Sequence, residues 1–141
     1  MSSSSLRTII AILLFIHAIG HIQGAIVASG ILATERWNAQ SWLLDGILGE
    51  RGARTLALLL WSATVVGFFA TAFAFVGVAV PHEWWRTLAI IFALISFPTL
   101  VLYWHSFVLF FPNKIGALGV DLAILIGLFF MKWPAESDLG L

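Results

Sequence analysis

Four stretches of the chain are almost wholly apolar, over residues 8–33, 55–80, 87–111 and 115–133, and the polar residues gather between them. Each run holds about 19 residues or more, which as a helix rising 1.5 Å per residue crosses a hydrocarbon layer of ~30 Å. The pattern predicts an all-α protein, an integral membrane antiparallel four-helix bundle that occupies residues 1–141 as a single domain. The first run follows a Ser-rich, Arg7-containing start and could open a signal peptide, but its apolar stretch continues past the usual 7–15 residues, to Ala33. It is expected to stay as a helix.

The connections carry their own signals. Residues 34–53 form the longest, and within it residues 41–48 are expected to lie along the interface, with Trp37 and Trp42 at headgroup level. Pro81-His82-Glu83-Trp84-Trp85-Arg86 reads as a tight turn with Trp84 and Trp85 as interfacial anchors and His82 exposed. Pro98 removes one backbone hydrogen bond from the third helix, and Ser96 or Thr99 is placed to satisfy the freed carbonyl. Pro112-Asn113-Lys114 makes the last turn, and residues 135–141 read as a disordered tail. Gly20, Gly24 and Ala28 on the first helix, with Ala63, Gly67 and Ala74 on the second, offer small faces for close helix approach. Arg7, Arg86 and Lys132 would share one side, and Arg36, Arg51, Arg54 and Lys114 the other, a balance that does not orient the protein.

Composition narrows the classes. The chain is 61% hydrophobic and 10% charged, against about 25% charged in soluble domains, so no separate soluble domain is expected. Its net charge is zero and it has no basic stripe, which argues against a nucleic-acid partner. Without cysteine it has no disulfide, thiolate metal site or dithiol redox chemistry.

The chemistry sits on ionisable groups inside the apolar runs. An intramembrane charge costs at least ~2.5–3.5 kcal/mol, so such groups face the bundle interior with a partner. His17 and His21 are four residues apart and share one helix face. His105 and Asp121 lie at equal sequence distance from Asn113, and a turn centred there would bring them to one level. Ser62 and Gln23 fall near the same depth. The expected result is a buried polar cluster of His105 with Asp121, then His21 and His17, with Gln23 and Ser62 nearby. It could be interhelical hydrogen-bonding glue. It could also ligate a divalent metal through His17, His21, His105 and Asp121, or hold haem b between His105 and one of the first two histidines. The residues between His17 and His21 are Ala-Ile-Gly, so this is not the zinc-protease motif, and no serine has a nucleophile-elbow context.

His17-x-x-x-His21 with its glycines, Trp61, Trp84-Trp85, Ser96, Trp104 and Lys114-Ile-Gly116 together resemble small four-helix bacterial membrane proteins of the DoxX type. That pattern has an acid after the third-helix tryptophan and an amide in the fourth helix; here those positions hold His105 and Asp121. The resemblance implies the fold and carries over no activity. Three functions stay open: an accessory or assembly subunit of a larger membrane complex, or a homo-oligomer; a metal- or haem b-binding redox protein; and a proton- or small-solute-translocating unit. Each implies a multi-pass protein of the cell membrane with the lipid bilayer as partner.

Overall fold

The computed structural model describes residues 3–107 and 109–140, and among them the regular structure is helical. The elements are α1 (Ser3–Ser29), α2 (Leu44–Val76), α3 (Trp85–Leu102), α4 (Ile115–Ile124) and a short α5 (Glu136–Leu139). α1, α2 and α3 with the 3₁₀ turn before it (His82–Trp84) are each long and apolar enough to cross a membrane. α4 runs on through wider π-type turns over Leu125–Phe130, giving a shorter apolar helix of about 24 Å at 1.5 Å per residue.

Local contacts mark several of the helix ends. α1 stops at Gly30, whose φ of +86° suits a residue without Cβ. The Arg54 guanidinium then donates to the carbonyls of Ala28 (2.9 Å) and Ser29 (2.8 Å), supplying donors and positive charge at the C-terminal end of α1. α2 begins where the Ser41 hydroxyl accepts from the Leu44 amide and Asp45 accepts from the Ser41 amide. Residues 41–48, expected to be a separate interfacial piece, largely enter this helix. Its first turn is set off by non-helical backbone at Gly49 (φ 70°, ψ 159°).

α3 departs most from expectation. The apolar run predicts a helix to residue 111, yet it ends at Leu102; residue 108 lies outside the described residues. The Tyr103 hydroxyl donates to the Ala53 carbonyl at 2.7 Å, and Phe107 turns inward against Trp61, ring centres 5.1 Å apart. The chain thus leaves the helix to fill the bundle end. Trp37 and Trp42 pin the first connection over it, their indoles donating to the Ser106 and Val101 carbonyls. The tail is also built: Leu139 in α5 is buried in the same core as Leu14 and Ala18. Of the two turn tryptophans, Trp84 is exposed, but Trp85 is buried edge-on against Phe75. His82 is half-buried and donates through Nδ1 to the Ala74 carbonyl at 3.0 Å, so it caps α2 rather than lying free.

Side-chain contacts tie opposite ends of neighbours together. Arg54 near the start of α2 meets the end of α1, His82 before α3 meets the end of α2, and Arg86 on α3 donates to the Pro134 carbonyl beyond α4. α1 packs on α2, α2 on α3 and α3 on α4, while α1 and α4 touch far less. Close approach is set by glycine at two places. A Cβ on Gly24 would stand 2.6 Å from the Trp61 ring, and one on Gly67 would overlap Phe92. The core falls into two apolar clusters, one around Phe68, Phe75 and Trp85 and one around Trp61, Leu100 and Tyr103. The polar residues described next touch both.

Candidate metal centre

His17 and His21, on successive turns of α1, turn their imidazoles inward, and both are buried. Asp121 on α4 is fully buried and accepts from the other direction, and Ser96 on α3 completes the group. His17 Nε2 lies 2.8 Å from Asp121 Oδ1 and 3.1 Å from His21 Nε2. Ser96 Oγ donates to Asp121 Oδ2 at 2.6 Å and stands 3.2 Å from His21 Nε2. The four side chains therefore form a closed ring of polar contacts, drawn from three helices.

Its proton inventory does not close on its own. A ring nitrogen has one in-plane site, either a hydrogen or a lone pair. His17 Nε2 faces two partners with that one site, and so does His21 Nε2. If His17 donates to an ionised Asp121 and Ser96 donates to the other carboxylate oxygen, His21 Nε2 cannot make linear hydrogen bonds to both remaining neighbours. Around a central cation the same atoms agree. An ion taking both Nε2 lone pairs and Oδ1 as ligands would remove that conflict, and the Ser96 hydroxyl would keep its bond to Oδ2.

Spacing is compatible with that reading. The donor atoms of His17, His21 and Asp121 all lie within 4.8 Å of one another. Ligands at ~2.0–2.1 Å from a metal stand roughly 2.9–3.4 Å apart at right-angled to tetrahedral geometry. Two of the three separations, 2.8 and 3.1 Å, lie at or close to that range, and the third is within 4.8 Å. Around the donors the walls are aromatic. The His21 ring is stacked between Trp61 (5.5 Å, 22°) and Phe68 (5.6 Å, 13°), and His17 meets Phe68 edge-on at 4.5 Å. His21 Nδ1 is buried without a hydrogen-bond partner. In many metal sites the far nitrogen is held by a hydrogen bond; here the stacked rings fix the imidazole plane instead.

The remaining expected members lie elsewhere. His105 is exposed in the 3₁₀ turn Trp104–Ser106, where its backbone carbonyl accepts from the Asn38 amide. The expected His105–Asp121 pair is therefore corrected to His17–Asp121. Asn113 is not at the outer edge: its amide donates to Gln23 Oε1 on α1 at 2.7 Å. Counting from that level, ~1.5 Å per residue brings His17 and Asp121 to within about one turn of each other. Gln23 thus belongs to the Asn113 contact rather than to the ring. Ser62 is exposed, because Trp61, Thr64 and Phe68 take the inward face of α2. Ser96, read from sequence as a cap for the carbonyl freed by Pro98, faces the ring, and Thr99 donates to the Ile95 carbonyl instead. A buried polar group in an apolar helix was the available signal for Ser96.

The haem b arrangement does not fit. Axial ligands approach iron from opposite faces, whereas the His17 and His21 Nε2 atoms are neighbours on one helix and His105 is outside. An open cavity of 260 Å³ reaches the two histidines from between α1 and α4. Comparisons with protein-family models, with curated proteins and with solved structures give no match.

Proposed function

We propose that this chain is a multi-pass protein of the cell membrane, folded as an antiparallel four-helix bundle, that binds a divalent transition-metal ion through His17, His21 and Asp121. The observation that carries the reading is the convergence of His17 Nε2 on two partners with a single in-plane site. Two imidazoles and one carboxylate suit zinc, iron or copper, and three protein ligands leave coordination positions open. The bundle and its location rest on the three membrane-length helices, the shorter apolar fourth one and the DoxX-like residue pattern. Open coordination beside a cavity is the arrangement of a reactive rather than a purely structural ion.

A proton wire fits less well, since the ring returns to Asp121 through Ser96 instead of leading between two faces. The accessory-subunit or homo-oligomer reading draws on one feature: Gly20 is exposed with open space beside it, a notch a foreign helix could enter. The test is elemental analysis of untagged protein purified in detergent. About one metal per chain is expected. Replacement of His17, His21 or Asp121 by alanine should abolish it, and His105→Ala or Ser62→Ala should leave it unchanged. A metal-free wild type after growth in metal-replete medium refutes the reading. A stable multimer in native mass spectrometry would favour the assembly role.

A further inference from the structure

Two cavities adjoin along the space between α1 and α4 and together make a groove. The 260 Å³ cavity at His17 and His21 shares Leu13 and Val120 with a second, of 190 Å³, that continues to Leu128 and Pro134. From Ala117 to Leu128 this covers about 16 Å along the helix axis at 1.5 Å per residue. The far part is lined by apolar side chains and Trp133. Polar side chains enter at one end only, where His17, His21 and Asn113 meet the cavity. Leu13 and Ile16 on the α1 lip are exposed, so the groove opens sideways, toward what would be lipid. Gly20 widens that mouth, with no atom within 4 Å of where its Cβ would lie.

We propose that the groove holds a single-chain lipid carboxylate, its hydrocarbon tail along α4 and its carboxylate on the metal at His17 and His21. The assignment rests on the metal reading for its head group. Charge decides the head. A divalent cation held by one carboxylate and two neutral imidazoles keeps one uncompensated positive charge, which a low-dielectric interior penalises and an anionic oxygen ligand neutralises. Shape decides the tail: the groove is long, narrow and apolar beyond its polar end, and it is entered from the side. A water-soluble anion would have to cross the apolar bundle to reach the same position.

The experiment uses full-length, zinc-loaded protein in phosphatidylcholine nanodiscs and hexadecanoic acid carrying a diazirine at mid-chain. Photolysis should label the peptides containing Leu13, Val120 and Leu128. Unlabelled hexadecanoic acid should compete, and its methyl ester should not. Gly20→Leu adds a side chain where nothing obstructs it, so the protein should fold and keep its zinc while groove labelling falls about tenfold. Labelling spread over lipid-exposed positions such as Leu59 and Val66, and indifferent to Gly20→Leu, overturns the assignment. Zinc content is read from the same samples. Failure to load zinc therefore sinks the metal site, whereas diffuse labelling of loaded protein sinks the groove alone.

Discussion

His17 Nε2 stands 2.8 Å from Asp121 Oδ1 and 3.1 Å from His21 Nε2, so one nitrogen lies between the carboxyl group of α4 and the second imidazole of α1. The pair also ties α1 to α4 where those helices otherwise touch little. Removing the acid should therefore affect both binding and stability, and the two can be separated. Asp121→Asn keeps a group that hydrogen-bonds to His17 and Ser96, at a cost of about 1–2 kcal/mol. Asp121→Leu leaves both without their partner and should cost about 3–5 kcal/mol. Unfolding in detergent measures the difference; equal losses for the two variants would show that Asp121 does not hold the ring.

Ser96 holds the Asp121 carboxylate through its 2.6 Å bond to Oδ2, and in the proposed site it would position that ligand rather than bind the ion. Ser96→Ala should lower stability by about 1 kcal/mol. Loss of such an outer hydrogen bond should also weaken metal affinity by about 10–100-fold. Competition titration with a chelator reads the affinity. A Ser96→Ala protein with wild-type affinity would remove the hydroxyl from the account.

The two glycines of α1 should respond oppositely. Gly24 faces the Trp61 ring, where an added Cβ would stand at 2.6 Å, and Gly20 faces open space. Gly24→Ala should destabilise by about 1–3 kcal/mol, the cost of overpacking. It should also disturb the Trp61–His21 stack, visible as a change in tryptophan fluorescence. Gly20→Ala should be neutral or slightly stabilising, since alanine is the better helix former. The idea that Trp61 sets this helix spacing is lost if the two variants melt alike.

Much of this was legible in the residue pattern, and the errors share one physical origin. Hydrophobic length located the long helices, and the four-residue spacing put His17 and His21 on one face, as found. Equal spacing about Asn113 does not give equal depth, because Asn113 pairs with Gln23 of α1 instead of forming the outer tip of a hairpin. An apolar run does not reveal that Phe107 turns inward and that Tyr103 is anchored to the Ala53 carbonyl, which ends α3 early and exposes His105. The choice between Trp61 and Ser62 as the inward residue was equally hidden. It depends on the glycine at position 24 opposite the indole, a contact between helices rather than a property of either sequence.

Arg54 links two helices outside the cluster. It lies on α2 but donates to the last carbonyls of α1, at 2.9 and 2.8 Å. Arg54→Met should keep much of the side chain's apolar bulk and remove the donors, costing about 1–2 kcal/mol. Lysine has one ammonium in place of the guanidinium fork and should restore only part. Hydrogen exchange should quicken at the C-terminal turn of α1 in the methionine variant. Unchanged protection there would mean that Gly30 alone ends the helix.

Metal should stabilise the wild type and leave ligand variants indifferent. An ion that binds only the folded protein adds RT ln(1 + [L]/Kd), about 2.7 kcal/mol at a free concentration 100 times Kd. Zinc added to chelator-treated protein should therefore raise the unfolding midpoint progressively with concentration, and a stronger chelator should reverse it. His17→Ala should abolish the shift, because it removes a ligand and breaks the contact to both Asp121 and His21. His105→Ala should keep the full shift, since that imidazole is exposed and outside the ring. His82→Ala provides the sharper control. It takes away the Nδ1 bond to the Ala74 carbonyl and so lowers the baseline midpoint, yet the increment from zinc should match that of the wild type. An equal zinc increment in His17→Ala and His82→Ala would place the ion elsewhere on the protein.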